Sequence, residues 1–399
     1  MNSARYWIWL QQALGDGVIF KPIIEEFGGA ESLYNANIME WRMSSTLSPR
    51  QVYRLEKTDI ADADKVIETC EKNSWKVISY DHPDYPQRLR EIINPPAVLY
   101  VDGEMPDIDN TVVIGIVGTR RASEYAVKVC EIMSKGIAEC SALVVSGGAL
   151  GIDSAAHSAA MAAGGKTVAV LGCGLGANYL MQNKNLRERI KRNGALITEF
   201  PPFTPAAKHT FPLRNRIISG LSLGVLVVEA GVKSGSLITA KYALEQGRDV
   251  FAVPGSVLAQ DFAGTNKLID DGAYVVTQPV QLLSNYSERF NLDLSKVKSV
   301  SALMKELADP AANVSQHEDI YSFDRLEEGR AARMKREQNI TGLSNEEKNV
   351  YDILPNTFTH IDILAQNSSL SQGQLLAALT KLELLDLAES ASGGRFKRK

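Results

Sequence analysis

Cysteine is scarce: the four residues at positions 70, 130, 140 and 173 form no CxxC pair and stand beside no cluster of histidines. That excludes a zinc ribbon and a disulfide framework, and it fits a reducing, cytoplasmic setting. No run approaches the ~18 apolar residues that a membrane span needs. The opening MNSARYWIWLQQALGDG is too short and too polar-interrupted for a signal peptide or an anchor. Neither sign of charge is in excess, since 43 Lys+Arg stand against 47 Asp+Glu for a net −4. Any polyanion-binding site must therefore be a local patch. GxSxG and HExxH are missing too, and no complete catalytic constellation is present, so neither an enzyme nor a metal or cofactor is expected. What is present is 399 residues of ordinary globular composition, 45% hydrophobic and 23% charged. That is enough for about two or three domains with sizeable cores.

Residues 1–75 read as a small helical domain, with apolar residues at helical spacing in Tyr6–Leu14, Val18–Phe27 and Val66–Trp75. Ser48 before Pro49 reads as an N-cap with a first-turn proline. From residue 76 to 285 the rhythm changes. WKVIS and AVLYV predict short strands around a Pro-rich loop, and six apolar, β-branched runs then alternate with helical patterns, from Val112–Val117 to Val250–Val253. Strand, helix, strand at this spacing predicts an α/β fold with a doubly wound, mainly parallel, extended Rossmann-like sheet. Residues 286–340 read as a linker, with KSVSALMKEL and EEGRAARMKREQ as candidate helices. Residues 341–399 read as three helices and a hairpin, the winged-helix order, with Ser344, Thr359 and Ser371 as N-caps and Gly393-Gly394 as the turn. The closing basic run, Arg395-Phe396-Lys397-Arg398-Lys399, reads as a solvated tail.

Ligands of an open parallel sheet bind beyond the carboxyl ends of its strands. Here those ends carry Gly118-Thr119-Arg120-Arg121, Ser146-Gly147-Gly148-Ala149 and Gly172-Cys173-Gly174-Leu175-Gly176. Glycine admits a close-lying anion, and each turn precedes a helical pattern whose first amides attract phosphate. Known enzyme motifs fail on context. Gly165-Lys166-Thr167 follows a helix and precedes a strand, the reverse of a Walker A loop, and position 160 is Ala. Gly172, Gly174 and Ala177 match a relaxed dinucleotide fingerprint, but the acidic Glu199 lies 27 residues past Gly172 where ~20 is expected. Asp153 and His157 share a helix face; lacking a third ligand, they read as an N-cap and a structural imidazole. Most informative is Lys208-His209-Thr210-Phe211-Pro212-Leu213-Arg214-Asn215-Arg216, within a stretch free of acidic residues between Glu199 and Glu229. A ring among cations suits single-stranded nucleic acid, cations for phosphates and a flat face for a base. The competing reading is a nucleotide hydrolase or phosphoribohydrolase with Glu229 as base beside Ser234-Gly235-Ser236, against a structural role for Glu229 at an arginine or a helix N-terminus.

GIVGTRRASEYA, VVSGGALGIDSAAH, GGKTVAVLGCG, FPLRNRIISGLS, VLVVEAGVKSGSLITAKYALEQGRDVFAVPG and GTNKLIDDGA occur in that order over residues ~76–280. In this series the chain resembles the DprA/Smf family of bacterial DNA-processing proteins. The resemblance implies a Rossmann-like domain that binds single-stranded DNA, a helical SAM-like N-terminal domain and a C-terminal winged helix. It also implies homodimers, and delivery of protected incoming strands to the RecA recombinase during natural transformation. Carried over by position, the contacts expected with DNA are Gly118, Thr119, Arg120, Ser146, Gly147, Gly148, Lys208, Phe211, Arg214, Asn215 and Arg216. Departures from the family pattern are Leu150 for a frequent Arg, Tyr179-Leu180 for Tyr-Pro, and Asp386 for a common wing Gly. Lys381 is the one cation in the helix pattern Ser371–Leu384, too little for a duplex-reading helix.

Overall fold

A computed structural model describes residues 3–302 and 342–398, apart from 180, 356, 369, 386 and 392. Leu180, Asp386, Lys399 and the run EEGRAARMKREQ thus lie outside the described residues. The alternating apolar runs become one nine-stranded sheet: β1 (Lys76–Ser79), β2 (Val98–Gly103), β3 (Val113–Val117), β4 (Leu143–Ser146), β5 (Thr167–Val170), β6 (Gly194–Thr198), β7 (Gly224–Val227), β8 (Asp249–Ala252) and β9 (Tyr274–Val275). Its order is β1-β2-β6-β5-β4-β3-β7-β8-β9. Strands β3 to β9 run parallel, while β2 pairs antiparallel with β6, and β1 with β2. Strands β3 to β7 are buried along their whole length, which is why they read as continuous apolar runs rather than alternations. The chain builds outward from β3 to β6, then returns to place β7 on the other flank of β3. A crevice opens where the winding direction reverses, between β3 and β7.

Helices α1 (Ala4–Leu14), α2 (Lys21–Phe27), α3 (Ala30–Asn35), α4 (Ile38–Met43), α5 (Pro49–Lys57) and α6 (Ile60–Lys72) form the N-terminal segment. Ser48 caps α5 in a reciprocal box with Gln51, as the Ser-Pro signal predicts. The pattern Val66–Trp75 overruns its helix. The cap of α6 falls at Asn73, and Ser74 turns the chain with φ 58°. The segment shares its core with the sheet. Trp7, Trp9, Leu10 and Leu55 bury with Val98 and Tyr100 of β2, and Gln11 donates to the Glu199 carbonyl while accepting from the Tyr100 hydroxyl. Residue 75 marks a change of element type within one compact unit rather than a gap between bodies.

Between the strands lie α7 (Gln87–Arg90), α8 (Glu124–Glu139), α9 (Ile152–Ala162), α10 (Lys184–Arg192), α11 (Thr210–Leu221), α12 (Ser236–Glu245) and α13 (Ala263–Asp270). The expected linker begins later than residue 286. Tyr286 is buried and donates to Asp249 at 2.5 Å, and Phe290, Leu292, Leu294 and Val297 pack against the core beside α8. The remainder, 303–340, lies outside the described residues.

The C-terminal unit has helices Asn345–Ile353, Ile361–Gln366 and Gln372–Leu384 and a small sheet in which Arg395–Arg398 is the middle strand. Ser344 and Ser371 cap their helices in reciprocal boxes, but the middle helix is capped by His360, not Thr359. Gly393 and Gly394 both take left-handed φ, 81° and 65°, at the hairpin. Within the basic run, Arg395–Arg398 form a strand rather than a solvated tail. Phe396 is buried, Lys397 pairs with Glu389 at 3.0 Å, and Arg398 donates to the carbonyls of Tyr351 and Asp352. No described helix is long and apolar enough to cross a membrane, and all four cysteines are buried and unpaired with one another.

Candidate nucleic-acid interface

The crevice beside the carboxyl ends of β3 and β7 is an open cleft of about 270 Å³. Three segments meet there: the Gly118-Thr119-Arg120 turn after β3, the first turns of α11 with Phe211, Arg214 and Asn215, and the Ser234-Gly235-Ser236 turn opening α12. Ala149 and Asp153 close one side. Gly118 is needed for packing, because a Cβ there would come 2.5 Å from Ile152 and 3.1 Å from the Glu229 carbonyl.

On the rim, Arg120 is exposed and its guanidinium carbon lies 5.0 Å from the centre of the Phe211 ring. Among the described residues no carboxylate forms an ion pair with Arg120 or with the exposed Lys208. Phe211 is half-buried. One flank rests on Gly172, where a Cβ would meet the ring at 2.7 Å, and Tyr179 tilts against it at 5.3 Å. Thr210 anchors this turn by donating to the Gly172 carbonyl at 2.5 Å. The Thr119 amide is not free for an anion, since it donates to the Glu229 carbonyl at 2.9 Å. The Thr119 hydroxyl oxygen accepts from the Arg121 amide at 3.2 Å.

The floor differs from the expected phosphate track. Helix α11 is buried from Arg214 to Leu221, so its polar groups must be paired inside the protein. Arg214, 5% exposed, donates to the Val170 carbonyl and lies flat on Gly147, where any Cβ would overlap the guanidinium. Opposite it is Asp153, buried and accepting from the Ala149 amide at 3.2 Å. Burial raises the Asp153 pKa, while Arg214 and, more weakly, Arg120 oppose that shift. Asn215 donates to the Gly235 carbonyl at 3.3 Å, tying α11 to the start of α12.

Arg216 turns away from the cleft. It is 3% exposed and grips both Glu199 carboxylate oxygens at 2.6 Å, facing the small cavity beside Gly15-Asp16-Gly17. Ser146 is fully buried and donates to the Ile116 carbonyl at 2.6 Å, and Gly148 is buried with φ 65°. Of the eleven expected contacts, Arg120 and Lys208 are exposed and Phe211 is half-buried. Gly118, Thr119, Arg214 and Asn215 shape the cleft, while Ser146, Gly147, Gly148 and Arg216 support it from within.

The enzyme-like features have partners within the protein. Glu229 is fully buried and accepts from the amide and hydroxyl of Ser123, the N-cap of α8. It thus serves a helix N-terminus and neither arginine. In the dinucleotide-like loop, the Gly174 and Gly176 amides donate to the carbonyls of Thr204 and Pro202, and Glu199 is taken by Arg216. Asp153 is not the cap of α9, a position held by Gly151 with φ 76°. His157 is buried against Thr167, 2.7 Å from its hydroxyl. That hydroxyl donates to the Val144 carbonyl, so the imidazole proton sits on Nδ1. Burial, and then the Arg214 charge, push the His157 pKa down to about 3. Among the described residues no cluster could hold a metal ion. Tyr179 is the cleft neighbour that motif spacing missed; its signal was an aromatic among small residues in a loop after a strand.

Known proteins agree with this architecture. The family model described as DNA recombination-mediator protein A matches residues 76–287, and the DprA winged helix domain matches residues 334–394. Protein Smf of Synechocystis sp. is 31% identical over 404 residues, spanning 100% of this chain and 99% of that protein. DNA processing protein DprA of Streptococcus pneumoniae is 43% identical over 202 residues, 51% of this chain and 71% of its own length. The X-ray structure of DprA from Streptococcus pneumoniae is similar with a TM-score of 0.62 at 36% identity, covering 70% of this chain and 97% of that one.

Proposed function

The chain belongs to the DprA/Smf family of DNA-processing proteins, and from that premise we propose that its cleft binds single-stranded DNA without sequence preference. The observation that carries this reading is the exposed Arg120 guanidinium held 5.0 Å over the Phe211 ring at the mouth of the cleft. An arginine fork grips a phosphate in two parallel hydrogen bonds. Phe211 offers a flat apolar face to a base, and Lys208, three residues earlier in the chain, is an exposed cation that can take a further phosphate. In the free protein Arg120 covers the ring. Leaving it costs about 0.5–1 kcal/mol at an exposed site, less than the ~1–3 kcal/mol that a stacked base returns. Arg120 can therefore move to a phosphate as a base takes its place.

Beneath the cleft the buried Arg214 and Asp153 oppose each other's charge, so the phosphate-binding charge comes from the surface. The opening turn of α12, with the Ser234 and Ser236 hydroxyls, brings donors and the positive end of a helix to the far wall. Stacking requires unpaired bases, so a duplex should be a poor ligand. Phosphate grip and stacking carry no base-edge readout, so sequence should matter little.

The family resemblance extends the proposal to protection of incoming strands, their transfer to the RecA recombinase during natural transformation, and action as a homodimer. The C-terminal unit fits a partner-binding or regulatory role better than duplex reading: Lys381, the cation of its longest helix, is engaged with Glu347 at 2.7 Å. The test is fluorescence anisotropy of a labelled homopolymeric strand with duplex as competitor. Saturable binding that duplex competes poorly supports the proposal. Absence of binding at low salt, or equal competition by duplex, overturns it.

A further inference from the structure

The loops after β5 and β6 carry a second aromatic station. Phe203 is 64% exposed, and its ring stands 6.3 Å from that of Trp75, which follows α6 in the N-terminal segment. Gly176 makes the approach possible, because a Cβ there would meet Phe203 Cδ1 at 2.7 Å and Trp75 Cη2 at 3.1 Å. The two loops are laced together, the Gly176 amide donating to Pro202 at 2.8 Å and the Gly174 amide to Thr204 at 2.9 Å, so the platform is held in place. Between Phe203 and Tyr179 lies an open hollow of about 430 Å³. Tyr179, which lines the hollow, packs against Phe211, which lines the cleft, with ring centres 5.3 Å apart, so the two adjoin across this ring pair. No Asp or Glu occurs in residues 171–187 or 200–228, while Lys184, Arg187 and Lys208 do.

Resting on the single-strand reading of the cleft, we propose that the strand leaving Phe211 passes Tyr179 and stacks a further base on Phe203 and Trp75. The N-terminal segment thereby becomes part of the DNA site. An exposed Phe203 ring with the half-buried Trp75 and Tyr179 rings beside it, on loops that carry cations and no carboxylate, suits a polyanion with flat bases. A protein partner's apolar side chain would gain nothing from the missing carboxylates.

The experiment uses the full chain with oligothymidylates of about 6 and about 20 nucleotides, lengths that bracket common single-strand site sizes. Trp7, Trp9 and Trp41 are buried, so strand-dependent quenching of tryptophan emission reports on Trp75. Phe203→Ala should weaken the longer oligomer about tenfold, the loss of one stacked base, and leave the shorter one unchanged. Quenching by the longer oligomer should vanish in Trp75→Phe, while Arg120→Ala should weaken both lengths. Unchanged affinity of Phe203→Ala for the longer oligomer, with tryptophan emission unquenched in the wild type, overturns this inference alone. Wild-type protein that binds neither oligomer overturns it together with the reading beneath it.

Discussion

Arg120 and Phe211 form a stacked cation–ring pair, 5.0 Å apart, joining the turn after β3 to the first turn of α11 across the switch point of the sheet. The ring is held from behind by Tyr179 and by the bare backbone of Gly172. Its orientation is therefore set before any ligand arrives, and little ordering entropy remains to be lost on stacking.

Replacing that ring isolates the stacking contribution. Phe211→Ala should weaken single-strand affinity by about 1–3 kcal/mol, roughly five- to a hundred-fold, whereas Phe211→Tyr keeps a π face and should stay close to wild type. Anisotropy titrations of the two variants at one salt concentration check this. Equal losses in both would show that the ring's contribution is packing.

Gly147 and Gly235 make an opposed pair of glycines. A Cβ at Gly147 would overlap the Arg214 guanidinium, while one at Gly235 meets open space and that residue has φ −63°. Gly147→Ala should displace a buried cation from its partners, costing about 3–5 kcal/mol, and reduce DNA binding with it. Gly235→Ala should change stability by no more than about 0.5 kcal/mol. Denaturant melts of both variants give the comparison.

How much of this was legible without coordinates differs from element to element. The parallel strands were, because burial on both faces leaves nothing but apolar runs, and so were the caps Ser48, Ser344 and Ser371, whose signals are local. Arg120 and Phe211 of the cleft and the exposed Lys208 stood out by type and company. Arg214 and Arg216 misled because charge was read as exposure. Residues 214, 215 and 216 lie on consecutive positions of one helix, each rotated by about 100°, so they cannot all face one cleft. The run 395–398 misled for the converse reason: charge at the chain end hid a two-residue alternation that buries Phe396 in a sheet. Nothing local announced that Trp75 and Phe203, far apart in sequence, would meet over Gly176.

His157 imposes a pH dependence on stability. Its pKa falls from an ordinary 6.5 to about 3 in the folded chain, so the unfolded chain binds the extra proton between those values. The contribution of a neutral His157 is complete above pH 6.5 and is lost as pH falls toward 3, at up to about 1.4 kcal/mol per pH unit. His157→Asn removes the titrating group and offers an amide donor to Thr167. It should flatten the acid limb of a stability–pH profile between about pH 6 and pH 4; an unchanged limb would assign acid sensitivity to other groups.

The most direct test of the division between rim and floor is the salt dependence of single-strand affinity in Arg120→Ala, Lys208→Ala and Arg216→Ala. Each phosphate contact contributes about 0.7 to the slope of log affinity against log salt. Arg120→Ala and Lys208→Ala should each flatten the slope by about that amount with unchanged melting. Arg216→Ala, which leaves Glu199 buried and unpaired, should lower stability by about 3–5 kcal/mol and, under conditions where it stays folded, keep the wild-type slope. A slope untouched by Arg120→Ala, or flattened by Arg216→Ala in a folded protein, would contradict the assignment of phosphate contact to the rim.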